Sequence, residues 1–183
     1  YTNYSATDST ILQIGNAYNL TVNLNTDGNY TCHSKAWIDW NSDGDFEDSN
    51  EEYDLGSSQN TSDGITNLSP LNIVVPVNAI VGKTTMRVAA KYGSTPILCE
   101  TGFDGEVEDY AIIISCSPTT SNIIINSCED YTSPSGNYTY SISGLYNDTI
   151  STINGCDSTV NLSLLVNPIQ SETLDIELCS GDS

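Results

Sequence analysis

The sequence predicts an all-β fold, with a β-sandwich domain followed by a small β-sandwich-like repeat module. Asn, Thr, Ser, Tyr, Ile and Val dominate the 183 residues, whereas Lys and Arg together number only 4. This balance favours strands and is typical of an extracellular β-protein. Apolar residues also alternate with polar ones in short runs that end at Gly, Asn, Asp or Pro, as expected of strands joined by turns. The chain contains 6 cysteines, which point to an oxidising compartment.

Turn residues divide the first part of the chain into short strands. Residues 11–24 alternate well enough for two strands around Gly15, and the Thr-Asp-Gly-Asn segment at 26–29 is a hairpin signal. Residues 55–67 are rich in Ser, Asn, Asp and Gly and are expected to form a surface excursion. The remaining strands are expected at 30–40, 71–77, 84–92 and 111–114.

A smaller β-module is expected after residue 116. An apolar strand followed by a cysteine occurs at Cys128 and again at Cys179, which indicates a repeated unit. Strands are predicted at 121–127, 138–143 and 159–166, with turns at 134–136 and 144–149. The predicted domains are therefore 1–116, 117–168 and the start of a further, truncated repeat at 169–183.

Residues 37–52 read WIDWNSDGDFEDSNEE and have the layout of a calcium-binding loop. Ca²⁺ takes about 6–8 oxygen ligands, and a short chain supplies them by turning sharply, which Gly44 permits directly after the third alternating ligand. Asn50 stands where such loops carry a bidentate glutamate, so the last ligands are expected from Asp48 or Glu51. The predicted ligands are Asp39, Asn41, Asp43, Asp45, Asp48 and Glu51.

A plain acidic surface turn is the alternative to a calcium loop, because Asp, Asn and Gly also favour turns. The calcium interpretation is preferred since the alternation, the glycine and the apolar Phe46 coincide. The apolar residues at 36–40 predict a buried strand before the loop. The ion is therefore expected to stabilise a β-sheet. It is not expected to act as in calcium sensors, where binding separates a pair of helices.

The cysteine spacing favours disulfides over zinc, because the chain has no close Cys-x-x-Cys pair. Position within the predicted domains narrows the pairing. Cys32 is expected to pair with Cys99 in the first domain, and Cys128 with Cys156 in the second. The partners of Cys116 and Cys179 stay open.

An acidic segment at 105–109 leads straight into the apolar strand at 111–114. Carboxylates that enter a buried strand need compensation. Arg87, Lys91 or a cation could supply it, and charge pairing inside the fold is the preferred explanation. The carboxylates of this structural acidic motif are Glu106, Glu108 and Asp109.

These motifs, in this order, resemble the GEVED domain. The resemblance rests on the WIDWNSDGDFED loop, the MRVAAKY strand, the cysteine before the GEVEDY segment and the Ile-rich closing strand, and it covers residues 1–115. The family occurs in large secreted or surface proteins of Bacteroidota, often beside peptidases or adhesin modules. The resemblance implies a β-sandwich accessory domain with no established catalytic activity. The module that follows is similar to tandem adhesin-like repeats in the same kind of protein.

Charge and motif content narrow the function further. A net charge of −20 argues against nucleic acid and anionic lipid as partners. No apolar run reaches the ~18 residues of a membrane span. The single histidine, His33, adjoins a cysteine that is better explained as half of a disulfide, and neither Gly-x-Ser-x-Gly nor His-Glu-x-x-His occurs. The chain is therefore not expected to be an enzyme.

We interpret the chain as a segment of a large secreted or cell-surface bacterial protein, adhesin-like or fibre-like, stabilised by Ca²⁺ and disulfides. The sequence begins at Tyr1 in mid-pattern and has no signal peptide, so a longer precursor exported by a type IX-like route is expected. The expected partners are neighbouring β-repeats of the same chain and a cell-surface glycan or protein ligand.

Two alternatives remain open. A carbohydrate-binding accessory module of a secreted hydrolase would stack sugars on exposed aromatic rings, although tyrosine at alternate strand positions is also ordinary sheet packing. A polymerising surface-filament subunit could use a strand at 173–179. The tyrosines that could serve the first alternative are Tyr1, Tyr4, Tyr30, Tyr131, Tyr138, Tyr140 and Tyr146.

Three Asp-Ser/Thr triplets look like the O-glycosylation acceptor of exported Bacteroidota proteins. The acceptor hydroxyls would belong to Ser9, Thr149 and Ser158. Turn chemistry alone also places a hydroxyl beside an aspartate, and it is the alternative explanation.

Overall fold

A computed structural model describes residues 1–167, which fold into strands, turns and loops and confirm the predicted all-β class. No helix in this range is long and apolar enough to cross a bilayer. The strands are β1 (Thr2–Asn3), β2 (Ser9–Gln13), β3 (Ala17–Leu20), β4 (Asn23–Leu24), β5 (Thr31–Ile38), β6 (Glu52–Gln59), β7 (Gly64–Ile65), β8 (Leu71–Val74), β9 (Gly82–Tyr92), β10 (Gly105–Ser115), β11 (Thr120–Ser127), β12 (Tyr131–Thr132), β13 (Thr139–Tyr140), β14 (Gly144–Ile150) and β15 (Ser158–Val166).

The chain divides into two compact units. Unit 1 comprises Tyr1–Ser117 and Thr152–Cys156, and unit 2 comprises Pro118–Ser151 together with residues 157–167. The further repeat expected at 169–183, with Cys179 and the strand at 173–179, lies outside the described residues.

The main sheet of unit 1 has the strand order β1-β10-β9-β5-β6. β10 runs antiparallel to β9, and β5 runs antiparallel to both β9 and β6. The other side of β10 is covered by β1 and then β2, both parallel to it, with Thr2 beside Glu108 and Ile11 beside Ile113. Both long sides of β10 are therefore hydrogen-bonded.

A second layer covers one face of this sheet. It contains the antiparallel pairs β3–β8 and β4–β7. Apolar residues at alternate strand positions meet between the layers, as in a β-sandwich. The buried core residues are Leu12, Ile38, Trp40, Ile73, Val75, Ala79, Ile112 and Ile114.

Two local expectations for unit 1 are wrong. Residues 55–59 belong to β6, where Leu55 is fully buried, although the segment contains Gly56 and two serines. Residues 26–29 do turn, with Asp27 and Gly28 at positive φ, but the flanking strands do not form a hairpin because β4 pairs with β7. In both places the tertiary partner overrides local turn propensity.

Unit 2 is built around a three-stranded sheet in the order β11-β15-β14, with a small β12–β13 pair. The central strand β15 buries Val160, Leu162 and Leu164. Residues 144–149, expected to turn, form most of β14 and pair with β15. Asp148, which favours turns in isolation, is instead buried and accepts hydrogen bonds from the backbone N–H and hydroxyl of Ser135, 2.7 and 2.6 Å away.

The predicted Cys128–Cys156 disulfide is wrong, because Cys156 is bonded to Cys116 with a Cα–Cα distance of 5.9 Å. The prediction assumed that Cys156 belongs to the module containing Cys128. The segment Thr152–Cys156 instead belongs to unit 1. There the backbone N–H of Val81 donates to the carbonyl of Asn154 at 2.8 Å, which holds the segment close to the end of β10.

The predicted Cys32–Cys99 disulfide is also wrong, because both residues carry free thiols, as does Cys128. Cys32 projects from the sheet face that also carries Ala90. Cys99 instead lines a small cavity with Arg87 and Ala89, which alternate to the opposite face. The sheet therefore separates the two sulfur atoms.

Candidate functional site

The acidic loop at residues 39–51 joins β5 to β6 at one end of the main sheet. Its entry is fixed by the neighbouring strand β9: the N–H of Asp39 donates to the carbonyl of Thr85 at 3.1 Å, and the hydroxyl of Thr84 donates to the carbonyl of Asp39 at 2.5 Å. The N–H of Ile38 donates to the carbonyl of Glu51 at 2.9 Å and closes the base. The two ends of the loop are therefore held close together.

Within the loop, successive side chains cap the backbone two residues ahead. Oδ1 of Asn41 accepts from the N–H of Asp43, Oδ1 of Asp43 from Asp45, and Oδ1 of Asp45 from Glu47, at 3.2, 3.2 and 2.9 Å. Gly44 sits at φ +94°, a conformation that side chains disfavour. The alternation seen in the sequence is thus a chain of Asx turns that curls the loop.

Asp39 and Glu51, at the base of this loop, are buried carboxylates with exposures of 6% and 2%. One oxygen of each is satisfied: Oδ2 of Asp39 accepts from the N–H of Gly44 at 3.2 Å, and Oε1 of Glu51 accepts from the N–H of Trp40 at 2.8 Å. The other oxygens, Oδ1 of Asp39 and Oε2 of Glu51, are buried without a hydrogen-bond partner in the described residues. An unpartnered buried carboxylate oxygen is costly and calls for a cation or proton.

Three exposed carboxylates complete the acidic loop. Oxygens of Asp43, Asp45 and Asp48 lie within 4.8 Å of one another. The amide nitrogen of Asn41 lies between two of them, donating to Asp43 at 2.9 Å and to Asp48 at 2.7 Å. The N–H of Asp45 and this amide hold the pKa of Asp43 below its ordinary value. The loop thus keeps several carboxylate oxygens together and favours the ionised form of Asp43.

The donor chemistry fits Ca²⁺, which prefers clustered carboxylate and amide oxygens. Burial raises the pKa of Glu51, and the charges of Asp39 and Asp48 raise it further. A bound cation would offset both causes. If Ca²⁺ binds here, the oxygens that would hold it belong to Asp39, Asn41, Asp43, Asp45, Asp48 and Glu51.

Arg87 joins this loop to the acidic motif of β10. Its guanidinium donates to both oxygens of Asp109, from Nε at 2.7 Å and from Nη2 at 2.8 Å, and it lies 5.5 Å from the ring centroid of Phe46 in the loop. The hydroxyl of Tyr1 donates a third hydrogen bond to Asp109 at 2.7 Å. Burial alone would raise the pKa of Asp109, but the bonds from Arg87 and Tyr1 outweigh it and hold that pKa below its ordinary value.

The other carboxylates of the acidic motif have different surroundings. Glu108 accepts from the hydroxyl of Tyr110 at 2.6 Å, and Glu106 is exposed. Lys91, one of the compensating groups considered from the sequence, pairs with Glu100 and not with the motif. Internal compensation by Arg87 therefore applies to Asp109 alone.

Unit 1 contains a groove of about 610 Å³ that the sequence did not indicate. It lies on the face of the main sheet that carries Cys32 and Ala90. Its walls come from segments far apart in the sequence, which explains why no motif marks it. The lining residues are Asn23, Leu24, Asn25, Thr26, Asp27, Tyr30, Cys32, Ala90, Tyr92, Asp104, Gly105 and Glu106.

Several candidate tyrosines form ring pairs. In unit 2 the rings of Tyr140 and Tyr146 stack with centroids 3.8 Å apart, and Tyr138 stacks on Tyr140 at 6.2 Å. In unit 1, Tyr4 stacks on Tyr110 at 5.4 Å. Tyr131 has no ring pair among the described residues.

The three candidate glycosylation hydroxyls differ in their surroundings. Ser9 and Thr149 are exposed on strands. Asp148, which precedes Thr149, is buried and engaged by Ser135. The hydroxyl of Ser158 lies 3.0 Å from that of Thr119.

Comparison with known proteins finds a family match within the first unit. No curated protein matches the chain. The chain is similar to the periplasmic chaperone SfaE in its crystal structure, with a TM-score of 0.36 and 11% sequence identity, covering 85% of this chain and 96% of that chain. Residues 33–113, which contain both the acidic loop and the Arg87–Asp109 pair, match the model of the GEVED domain family.

Proposed function

We propose that this chain is a non-catalytic segment of a large secreted or cell-surface bacterial protein, and that unit 1 is stabilised by Ca²⁺ bound in the loop at 39–51. Unit 2 would be one of several adhesin-like repeats in the same polypeptide. The segment would hold a binding surface at the cell exterior and perform no chemistry itself.

The observation that carries the calcium proposal is the pair of buried oxygens without partners, Oδ1 of Asp39 and Oε2 of Glu51. Acidic turns are common on protein surfaces, and exposed carboxylates alone would not require an ion. Two buried carboxylates beside each other are different, because their desolvation and mutual repulsion destabilise the folded chain unless a cation is present.

Thermal unfolding with and without calcium tests this proposal. At ~100-fold excess over its dissociation constant, Ca²⁺ should add about 2.7 kcal/mol to the free energy of unfolding. The melting temperature should rise with calcium concentration and fall after chelation. Asp39→Asn should abolish the response, whereas Glu47→Gln, which alters an exposed loop residue outside the proposed ligand set, should retain it. An identical melting temperature in calcium and in chelator would refute the calcium site.

The surface location and the adhesin-like role are supported by composition. A net charge of −20 keeps an exposed protein soluble, and a Cys-containing apolar strand recurs at the spacing of a repeat. Export would follow a type IX-like route. Antibody labelling of intact cells of the source bacterium should detect the segment, and labelling only after lysis would contradict the proposal.

A carbohydrate-binding role is a second candidate, favoured by the tyrosine stack of unit 2. Tyr138 is 54% exposed at one end of the Tyr138–Tyr140–Tyr146 stack, so a flat ring is open to solvent. Tyrosine offers an apolar face and a polar tip, which suits a sugar ring. Binding to a glycan array that is lost in Tyr138→Ala but kept in Tyr131→Ala would support this role. Equal binding by both variants would show that the tyrosine stack is not the glycan-binding surface.

A further inference from the structure

The groove on the main sheet of unit 1 contains two aromatic rings at nearly right angles. Tyr30 and Tyr92 have ring centroids 5.3 Å apart and an interplanar angle of 84°. They are 51% and 47% exposed, so ring surface is open to solvent in the groove. Neither hydroxyl has a hydrogen-bond partner within residues 1–167, which leaves both rings available to a ligand.

Carboxylates surround these rings and have no internal counter-charge. Asp27, Asp104 and Glu106 line the groove, and no described residue forms a hydrogen bond or ion pair with their carboxylates. The groove lining contains neither Lys nor Arg. The groove is therefore negatively charged, and an anionic ligand is excluded by repulsion.

The basic side chains of the protein cannot neutralise the groove because each is engaged elsewhere. Lys35 pairs with Glu52, Arg87 with Asp109 and Lys91 with Glu100. Lys83 donates to the backbone carbonyl of Ser5 at 3.0 Å. These are all of the 4 Lys and Arg residues of the chain, so no lysine or arginine of the protein occupies the groove.

The spacing of the carboxylates selects the kind of cation. Among the described residues, the acidic side chains that converge within 4.8 Å are those of Asp43, Asp45 and Asp48 in the loop. The groove carboxylates do not converge in this way, so they cannot form the compact oxygen shell of a metal ion. They can instead surround a larger cation whose hydrocarbon part packs against the tyrosine rings.

The shape of the groove depends on close backbone packing. A Cβ atom on Gly105 would collide with the carbonyl oxygen of Ala90 on the adjacent strand. The glycine of the acidic motif is therefore required by this close approach between the two strands that carry the groove. The small side chain of Ala90 lines the groove itself, whose volume is about 610 Å³. This volume lies within the usual range for small-ligand sites, about 300–1,000 Å³.

We propose that this groove binds an organic cation, an alkylammonium or guanidinium group, of the kind that a lysine or arginine side chain of a peptide presents. The rings of Tyr30 and Tyr92 would bind the cation through their faces, and the carboxylates of Asp27, Asp104 and Glu106 would supply the opposite charge. This site is separate from the calcium loop and gives the segment a binding specificity for basic groups.

Isothermal titration with small probes, in calcium-saturated buffer, tests the proposal. Nα-acetyl-lysine amide and Nα-acetyl-arginine amide should bind, whereas the neutral Nα-acetyl-glutamine amide should not. The probe 1-aminopentane carries a single ammonium without a peptide backbone, so comparison with the lysine probe distinguishes a free amine from a peptide side chain. Raising the salt concentration to 1 M should weaken binding because the interaction is electrostatic.

Variants assign the binding to the groove. Tyr92→Leu and Glu106→Gln should each weaken the affinity for the lysine probe by about threefold or more. The matched controls Tyr138→Leu and Glu129→Gln alter unit 2 and should leave the affinity unchanged. If the melting temperature shows that Tyr92→Leu is poorly folded, Asp104→Asn provides a second test of whether the groove carboxylates contribute to binding.

Several results would overturn the proposal. These are no heat of binding with any cationic probe, equal binding of the glutamine probe, and affinities that Glu106→Gln and Asp104→Asn leave unaltered. A groove that binds neutral N-acetylglucosamine more tightly than the lysine probe would likewise show that it recognises sugars instead.

Discussion

Arg87 on β9 lies directly opposite Asp109 on β10, and its guanidinium donates two hydrogen bonds to that carboxylate. The side chain of Asp109 is 8% exposed and that of Arg87 is 25% exposed, so the pair is largely withdrawn from water. Removing one member leaves the other charge buried without its partner.

Arg87→Met should destabilise unit 1 by about 3–5 kcal/mol, because it leaves the carboxylate of Asp109 buried without a counter-charge. Lys35→Met is the matched control: its partner Glu52 is 52% exposed, so the loss should stay below about 1 kcal/mol. Urea denaturation measures both variants. Equal losses in the two would show that burial does not strengthen the Arg87 pair.

The depressed pKa of Asp109 predicts acid sensitivity. Its ionised form is favoured by folding, so its contribution is fully present above the ordinary Asp pKa of about 3.9 and is lost as pH falls through the lower folded value. Between pH 5 and pH 3, the native chain should therefore lose more stability than Asp109→Asn does. Urea midpoints at several pH values measure the difference, and parallel curves would contradict this role.

Glu51→Gln should separate calcium binding from intrinsic stability. Gln retains an oxygen to accept from the N–H of Trp40 but removes a buried charge whose second oxygen has no partner. In chelator the variant should therefore be at least as stable as the native chain, while in calcium it should lack the native gain. Melting curves under the two conditions decide this, and an equal loss of stability in both would indicate a purely structural glutamate.

The Cys116–Cys156 disulfide closes a sequence separation of 40 residues. On the loop-entropy model, the double variant Cys116→Ala/Cys156→Ala should lose about 4 kcal/mol of stability. Cys128→Ala, which removes a free thiol, should change little. Alkylation of the native protein followed by peptide mapping should label Cys99 and Cys128 and leave Cys116 and Cys156 joined.

The burial of Asp148 predicts which O-glycosylation position a glycosyltransferase can reach on the folded chain. A transferase that must contact both the aspartate and the hydroxyl would find Asp8 and Ser9 exposed, whereas Asp148 is 1% exposed. Mass spectrometry of protein from the source organism should find Ser9 modified ahead of Thr149. Modification of Thr149 alone would imply transfer before folding.

The loop could be predicted from sequence because the residues that shape it are close together in the chain. Asp39, Asn41 and Asp43 alternate around a glycine, and each Asx turn involves residues only two positions apart. The burial of Glu51 was not visible in this pattern, since it depends on the N–H of Trp40 and the closure of the loop base.

The disulfides could not be predicted because they depend on tertiary placement. The placement of Cys32 and Cys99 on opposite faces depends on the register between β5 and β9 and on the path of the loop after β9. The inclusion of Thr152–Cys156 in unit 1 likewise has no local signal. The groove was missed for the same reason, because Tyr30, Tyr92 and Glu106 are far apart in the chain.

The parallel placement of β1 and β2 along β10 affects how the protein can be shortened for laboratory expression. A truncated version limited to residues 33–113, the range of the family match, would lack both strands. One side of the Ile-rich strand β10 would then present unpaired backbone groups, the arrangement that recruits strands from other molecules. Such a fragment should aggregate, whereas a version that starts at residue 1 and retains both strands should remain monodisperse.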